Sequence, residues 1–279
     1  MTAPLKSGTV GNVVHGSHGR RFAAHFEARP QDVRPLPDDN PAVVDGRSIF
    51  QHSVVSPEDA GRILISGANQ RKIGAFVSKG KWRGFPIYTL TLEERASCPR
   101  SCEHWLSCYG STMPYARRHR HGENLEVILA AEVKLLAIRH PAGFVVRLHV
   151  LGDFYSREYV GLWHTLLLQT PALHIFGYTA NHPNGDIGLA VNILNFSFPG
   201  RVSIRFSGEN VPAHVLRART IWRQPESHMV EEGLVCPAQT GRVECCGACG
   251  FCWQSDKPVA FIAHGRVVRG KGKKAGHDI

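Results

Sequence analysis

The sequence predicts an α/β fold, either a partial (β/α) barrel or a parallel sheet, with a Cys-rich C-terminal metal-binding segment and flexible termini. Two observations predict this class: apolar runs of strand length alternate with helical patterns, and a polar motif follows most apolar runs. A third observation, eight cysteines in two groups, indicates metal sites. The predicted parts are a flexible N-terminal arm (1–46), an α/β core with the first cysteines (47–232), a Cys-rich segment (233–265) and a basic tail (266–279).

The predicted strands and helices follow one another in a regular order. The predicted strands are GFPIYTLTL (84–92), FVVRLHVL (144–151), LHIFGYTA (173–180), RVSIRFSG (201–208) and GLVCPAQ (233–239). The predicted helices are ENLEVILAAEVKLLAIRH (123–140), REYVGLWHTLLLQT (157–170), DIGLAVNILNF (186–196) and a short one in PAHVLRARTIW (212–222). Because parallel neighbours need a crossover element, this alternation predicts βα units.

Ligands of parallel α/β sheets gather at the carboxyl ends of the strands. There the sequence places a cysteine loop and the motifs GDFYS, YTAN and RFSGEN. A carboxylate suits a cationic ligand and an inward arginine suits a carboxylate, so Asp153 and Arg205 are candidates for catalysis. A turn or helix-cap role for Asp153 and an ion pair for Arg205 are the alternatives. The candidate cofactor-binding residues are Gly152, Asp153, Thr179, Arg205 and Ser207.

The first cysteine group is Cys98, Cys102 and Cys108, in a polar loop with the spacing C-x3-C-x5-C. Structural zinc takes four ligands, commonly from two close pairs of cysteines. Three thiolates instead suit an iron–sulfur cluster with one open iron, or a metal whose fourth ligand comes from elsewhere. We favour a [4Fe–4S] cluster, with zinc and incidental cysteines as alternatives.

The second group lies in VCPAQTGRVECCGACGFCW (235–253). Its C-x2-C-x2-C run contains glycines that leave the backbone free to wrap around a metal. Cys236 completes a set of four thiols, which suits a second iron–sulfur cluster or zinc; a redox thiol pair is a further alternative. Either Cys245 or Cys246 can complete the set, so all five cysteines are candidate ligands: Cys236, Cys245, Cys246, Cys249 and Cys252.

The net charge and the hydropathy of the sequence indicate which classes of binding partner to expect. The net charge of +10 suggests an anionic partner. The run YARRHRHGEN (115–124) and the Gly/Lys-rich tail are candidate contacts for phosphate or nucleic acid, or are simply solvated. No apolar run approaches the roughly 18 residues of a membrane helix, and no signal peptide is recognisable. We therefore expect no membrane partner and a cytoplasmic location.

The three-cysteine loop after the first strand, followed by HVLGDF and YTAN, resembles the radical S-adenosylmethionine (SAM) enzymes. In those enzymes a partial (β/α) barrel holds a [4Fe–4S] cluster by three cysteines, and the open iron binds SAM. The resemblance implies SAM as cofactor and Asp153, Thr179 and Arg205 as contacts to SAM or substrate. The common spacing there is C-x3-C-x2-C with an aromatic residue before the third cysteine. Here the second gap has five residues, and Tyr109 follows the cysteine.

A resemblance over most of the chain is to the phage and prophage proteins called gene product eighty-eight. It covers the segments from KIGAFVSKGKWRGFPIYTLTLEERASCPRSCEHWLSCYG through RLHVLGDFYSREYVGLW, HIFGYTA and RVSIRFSG to CPAQ and CCGACGFCW. It implies a phage protein in the cytoplasm of the bacterial host and does not name a reaction. Two functions are expected: a radical SAM-like enzyme of unknown small-molecule or macromolecular substrate, or a zinc-stabilised, basic, nucleic-acid-associated protein without catalysis.

Overall fold

A computed structural model of the chain describes residues 35–222, 227–231 and 233–263. Most of the predicted N-terminal arm and all of the predicted basic tail lie outside these residues. The end of the arm lies within them and contacts the rest of the protein. There helix α1 (Pro41–Val44) buries Val43, and the N–H of Leu36 donates a hydrogen bond of 3.0 Å to the carbonyl of Leu106 in the first cysteine loop.

The described residues contain these helices and strands. The further helices are α2 (Glu123–Arg139), α3 (Arg157–Gln169), α4 (Asp186–Ser197), α5 (Cys246–Cys249) and α6 (Phe251–Gln254). The strands are β1 (Val54–Val55), β2 (Ile65–Ser66), β3 (Ile87–Thr89), β4 (Arg118–His119), β5 (Phe144–Leu148), β6 (Leu173–Thr179), β7 (Val202–Ser207), β8 (Arg217–Ile221), β9 (Met229–Val230), β10 (Gly233–Val235) and β11 (Val259–Ile262).

Nine of these strands form one open sheet in the order β2-β3-β5-β6-β7-β8-β11-β10-β9. The pairs from β3 to β10 are parallel, and the edge strands β2 and β9 are antiparallel to their neighbours. The predicted α/β class with a parallel sheet is confirmed, in its open form. β3, β5, β6, β7 and β8 lie side by side in chain order, so the carboxyl ends of five successive strands meet along one edge.

The sheet has two differently covered faces because side chains alternate along each strand. On β5, Phe144, Val146 and Leu148 pack into the large apolar cluster that also contains α2, α3 and α4. Val145, between them, packs on the opposite face against a second cluster that contains Trp253 of the Cys-rich segment. The Cys-rich segment is therefore part of the same fold, to which it also contributes β10 and β11.

The three long helices agree with the predicted ones to within a residue or two at each end. The short helix predicted in 212–222 is wrong, because residues 217–221 form β8 instead. Extended chain there fills the space between β7 and β11, and pairs with both, which outweighs the helical propensity of the segment. Within the described part of the chain, every helix is too short or too polar to cross a membrane.

Candidate metal centres

The first cysteine loop follows β3 and lies over the carboxyl edge of the sheet. His104 Nε2 lies 2.8 Å from the hydroxyl oxygen of Thr220 near the end of β8. Glu103 accepts a hydrogen bond of 2.6 Å from the N–H of Glu209, just beyond β7. The loop therefore spans the edge from the end of β3 to the ends of β7 and β8.

A buried arginine fixes the part of the chain that leads out of this loop. Arg118 on β4 is fully buried, and its Nε lies 2.6 Å from Oε2 of Glu94. Because a buried guanidinium is stable only when its charge and its N–H groups have partners, this pair ties the start of the loop to its end. The other nitrogen atoms donate to the carbonyls of Gly110, Met113 and Ala116.

The three thiols of the loop are partly accessible and influence one another. Burial raises the pKa of Cys98 well above its usual range, and the negative charges of Asp153, Cys108 and Cys102 raise it further. Burial also raises the pKa of Cys102 to about 12. It raises the pKa of Cys108 too, although the charges of Arg95 and Arg118 oppose it. Thiolates in these surroundings require a positive partner, which is what a metal supplies.

Asp153 lies beyond β5, as predicted, and is buried. Its Oδ2 accepts a hydrogen bond of 2.6 Å from the N–H of Ala180. Its Oδ1 accepts one of 2.7 Å from the N–H of Phe154 and one of 3.3 Å from Asn181 Nδ2. With the hydroxyl of Thr179 as a further donor, the carboxylate joins the ends of β5 and β6. Burial raises the pKa of Asp153 to about 6, although these hydrogen bonds lower it.

Gly152 lets the end of β5 approach the first cysteine loop. Its φ of +83° lies in the left-handed region, and a Cβ there would lie 2.5 Å from Ser97 Oγ and 2.6 Å from Leu92 Cβ. Ser97 Oγ also accepts a hydrogen bond of 3.3 Å from the N–H of Asp153. Gly152 therefore has a packing role, and its contact with a cofactor stays a prediction.

Thr179 and Ser207 lie at the ends of β6 and β7. Ser207 Oγ donates a hydrogen bond of 3.0 Å to the carbonyl of Thr179, and Thr179 Oγ1 accepts one of 3.1 Å from the N–H of Asn181. The structure thus brings Asp153, Thr179 and Ser207 to the same edge as the first cysteine loop. Their binding of a cofactor stays a prediction.

Arg205, two residues before Ser207 on β7, lies against the Cys-rich segment. It is fully buried on β7, and its Nε donates a hydrogen bond of 3.1 Å to the carbonyl of Cys252. The other nitrogen atoms donate to the carbonyls of Arg217, Lys257 and Ser255. Four of the five N–H groups of a guanidinium are thereby used, so the observed contacts of Arg205 are structural.

The Cys-rich segment covers the sheet face opposite α2, α3 and α4. Ser203 Oγ on β7 donates a hydrogen bond of 2.6 Å to the carbonyl of Cys252. The N–H of Cys246 donates one of 2.7 Å to the carbonyl of Lys72, which lies ahead of β3. The segment is thus bound to β7 on one side and to the chain before β3 on the other.

Cys236 acts electrostatically on three of the other four thiols of the segment. Cys236 lies directly after β10, and its charge adds to the effect of burial in raising the pKa of Cys246 and of Cys249. It acts in the same direction on Cys252, where burial raises the pKa to about 11. The thiol of Cys245 accepts hydrogen bonds from the amides of the turn that follows it, and the charge of Cys249 adds to the effect of burial in raising its pKa. This arrangement favours Cys246 over Cys245 as the fourth thiol of the group.

A tyrosine and several basic side chains surround this second group. The hydroxyl of Tyr178 donates a hydrogen bond of 2.9 Å to the sulfur of Cys252. Burial has the largest effect on the pKa of Cys246, Cys249 and Cys252 and raises it, while nearby positive charges lower the pKa of each of these three thiols. The charges are those of Lys72 and Arg147 at Cys246, Lys79 and Arg242 at Cys249, and Arg205 at Cys252.

All eight cysteines are free thiols. Within residues 35–222, 227–231 and 233–263, no three His, Cys, Asp or Glu side chains are placed closely enough to hold a metal ion. The chemistry of the donor set nevertheless fits one, since thiolates in threes and fours are ligands of iron–sulfur clusters and zinc. The predicted iron–sulfur, zinc and SAM assignments stay predictions.

Sequence reasoning missed the residues that hold the two groups in place. The pairing of Glu94 with Arg118 joins residues 24 apart in the sequence, and no local pattern signals it. Tyr178 was visible only as part of the YTAN motif, although its hydroxyl contacts a thiol. Tyr178 lies near the end of β6, on the sheet face that the Cys-rich segment covers. That position in the strand is the one signal that could have identified it.

The family model described as Gene product 88 matches residues 63–255, which include both cysteine groups. No curated protein and no solved structure matches the chain.

Proposed function

The chain belongs to the Gene product 88 family, and from this premise we propose that it is an iron–sulfur protein with one open and one closed metal centre. The open centre uses Cys98, Cys102 and Cys108. The closed centre uses the four thiols around Cys236. We propose further that the open centre makes the protein a radical SAM-like enzyme of unknown substrate.

The observation that carries the proposal is the position of the three-thiol loop. It lies over the carboxyl edge of an open, mostly parallel sheet whose strands follow one another in chain order, with the end of β5 packed against it. That edge is where ligands of such sheets bind. Cys98, Cys102 and Cys108 would hold a [4Fe–4S] cluster by three of its irons, and the reduced cluster would supply the electron for reductive cleavage of SAM.

We assign supporting roles to two residues of the chain. Asp153 is proposed as a positioning residue, because its carboxylate joins the loops after β5 and β6. Its remaining negative charge also favours a cationic ligand nearby. Arg205 is proposed to hold the Cys-rich segment over the sheet and so to preserve the closed centre.

The test is the metal content and SAM chemistry of protein purified without oxygen. Iron and acid-labile sulfide are measured, and SAM is added with dithionite while 5′-deoxyadenosine is followed. The Cys102→Ala variant is expected to abolish 5′-deoxyadenosine formation and to retain the metal of the second group. Cys245→Ala tests the choice of the fourth thiol: because the charge of Cys236 acts on Cys246, we expect this variant to keep both metals and the activity.

The zinc alternative is decided by the same measurement. A colourless protein that contains zinc and no iron would refute the enzyme and leave two structural sites. The structure gives less support to the nucleic-acid part of this alternative, because two residues of the basic run 115–124, Arg118 and His119, are buried. Their charge and hydrogen-bonding groups are directed into the fold and not toward an external phosphate backbone.

A further inference from the structure

A cavity of about 610 Å³ lies beside the first cysteine loop, and the metal proposal does not account for it. Its volume is in the range of sites for small molecules, roughly 300–1,000 Å³. Cys98 forms part of the wall, so a ligand in the cavity would lie next to the first thiol group. Trp105 and four arginines, Arg47, Arg95, Arg100 and Arg120, form much of the remaining wall.

One of the arginines is neutralised within the protein. Arg47 binds Glu93 through two hydrogen bonds, 2.8 Å from Nε to Oε1 and 3.0 Å from Nη2 to Oε2. Such a fork-to-fork pair satisfies both charges. Arg47 and Glu93 together therefore add no net charge to the cavity.

The three other arginines have no carboxylate partner among the described residues. Arg95 donates to the carbonyls of Trp105 and Arg47 and to a serine hydroxyl. Arg100 donates to the carbonyls of residues 43 and 44. Hydrogen bonds to neutral oxygens satisfy N–H groups but do not cancel the charge.

Arg120 is exposed, and its side chain makes no hydrogen bond or ion pair with the described residues. Apart from Glu93, which is paired with Arg47, the cavity wall contains one carboxylate, that of Asp45. The cavity therefore carries a net positive charge.

Arg95 is the most informative member of the wall. It is only 3% exposed and pairs with no carboxylate among the described residues, so its charge is held away from water. Its φ of 64° is in the left-handed region, which a residue other than glycine rarely adopts. Backbone strain of this kind concentrates at ligand sites. An anion in the cavity would supply the charge that Arg95 lacks.

We propose that this cavity binds a phosphorylated small molecule of mononucleotide size. Guanidinium groups match the geometry of phosphate oxygens, and Arg95, Arg100 and Arg120 would share the phosphate. Trp105 gives the uncharged part of the ligand an aromatic wall. The inference goes beyond the proposed function, because the positive charge of the cavity comes from arginines that are not ligands of the proposed metal centre.

The test is isothermal titration calorimetry of the full chain, purified without oxygen, with three probes. Adenosine 5′-monophosphate (AMP) carries the ester phosphate, adenosine lacks it, and inorganic phosphate lacks the rest of the molecule. AMP is expected to bind more tightly than either of the others. Arg120→Gln is expected to weaken AMP binding about tenfold, the effect of losing one charge-assisted hydrogen bond.

The matched control is Arg139→Gln. Arg139 is also exposed, but it lies in the last turn of α2, whose C-terminal end adjoins the opposite edge of the sheet. This variant is expected to bind AMP as the unmodified protein does. Equal weakening by both substitutions, equal binding of AMP and adenosine, or phosphate binding as tight as that of AMP would each overturn the proposal. So would binding of single-stranded DNA by a protein that gives no heat with AMP at millimolar concentration.

Discussion

The two cysteine groups are anchored alike but lie in different electrostatic surroundings. A fully buried arginine fixes each of them, Arg118 at the first loop and Arg205 at the Cys-rich segment. Around the first group the charges are of both signs: Asp153 raises the pKa of Cys98 in addition to burial, whereas Arg95 and Arg118 lower that of Cys108. Around the second, basic side chains lower the pKa of the thiols against the effect of burial.

This difference bears on the proposed closed and open centres. Four thiolates would carry more negative charge than three, and the basic residues around the second group would offset part of it. The first group lies at the sheet edge with a carboxylate on one side and the arginine-lined cavity on the other. Thiols with shifted pKa values beside a cavity are typical of functional sites, which agrees with the proposed open centre.

The largest expected effect comes from removing the anchor of the Cys-rich segment. Arg205→Met leaves buried carbonyls, including those of Cys252 and Lys257, without a donor. Their desolvation should lower the free energy of unfolding by about 4 kcal/mol, measured by urea denaturation. Metal bound by the second group should be lost before metal bound by the first. Arg139→Met serves as control, and a change below about 1 kcal/mol would show that the segment is held by other contacts.

The corresponding change at the first loop is Glu94→Gln. It leaves Arg118 buried without its counter-charge while it retains one oxygen acceptor. A loss of about 3 kcal/mol in the free energy of unfolding is expected. Here metal should be lost from the first group and kept by the second, which reverses the order expected for the Arg205 variant. If both variants lose both metals together, the two groups are one cooperative unit and not two independent sites.

The sequence could predict the parts of this arrangement that depend on local patterns. The period of the long helices and the alternation of apolar strand-length runs with helical patterns identify α2, α3, α4 and the parallel sheet, and the spacing of the cysteines divides them into two groups along the chain. It could not predict β8, because an extended conformation there depends on pairing with β11, which is distant in sequence. The same holds for Arg205, whose partner carbonyls at Cys252 and Lys257 are 47 and 52 residues away.

A smaller effect is expected where β5 meets the first loop. Gly152→Ala combines a left-handed φ of +83° with contacts of 2.5 and 2.6 Å, so it should destabilise the fold by about 2 kcal/mol. Gly61→Ala is the matched control, because Gly61 has a φ of +68° and nothing within 4 Å of the added carbon. That variant should lose about 1 kcal/mol, from the backbone alone. Equal losses, measured by thermal or urea unfolding, would mean that close packing at Gly152 is unimportant.

The smallest expected effect is a pH dependence of the free energy of unfolding, which comes from a buried histidine near the first cysteine loop. His149, beyond β5, accepts or donates a hydrogen bond of 3.0 Å with the hydroxyl of Tyr159, and burial lowers its pKa to about 3. The unfolded chain binds a proton near pH 6.5 and the folded chain does not, so the contribution to stability is complete above that pH and falls as the pH decreases toward 3.

Between pH 6.5 and 5.5 the unmodified protein should therefore lose about 1 kcal/mol more than the His149→Gln variant, in which the side chain keeps a hydrogen-bonding group but does not titrate. The comparison of the two proteins at each pH removes the contributions of all other titrating groups. His52→Gln, at an exposed position, is the control and should follow the unmodified protein. Parallel pH profiles for the unmodified protein and His149→Gln would contradict this expectation. They would show that His149 takes up a proton in the fold at the same pH as in the unfolded chain, and that water reaches the end of β5 beneath the first cysteine loop.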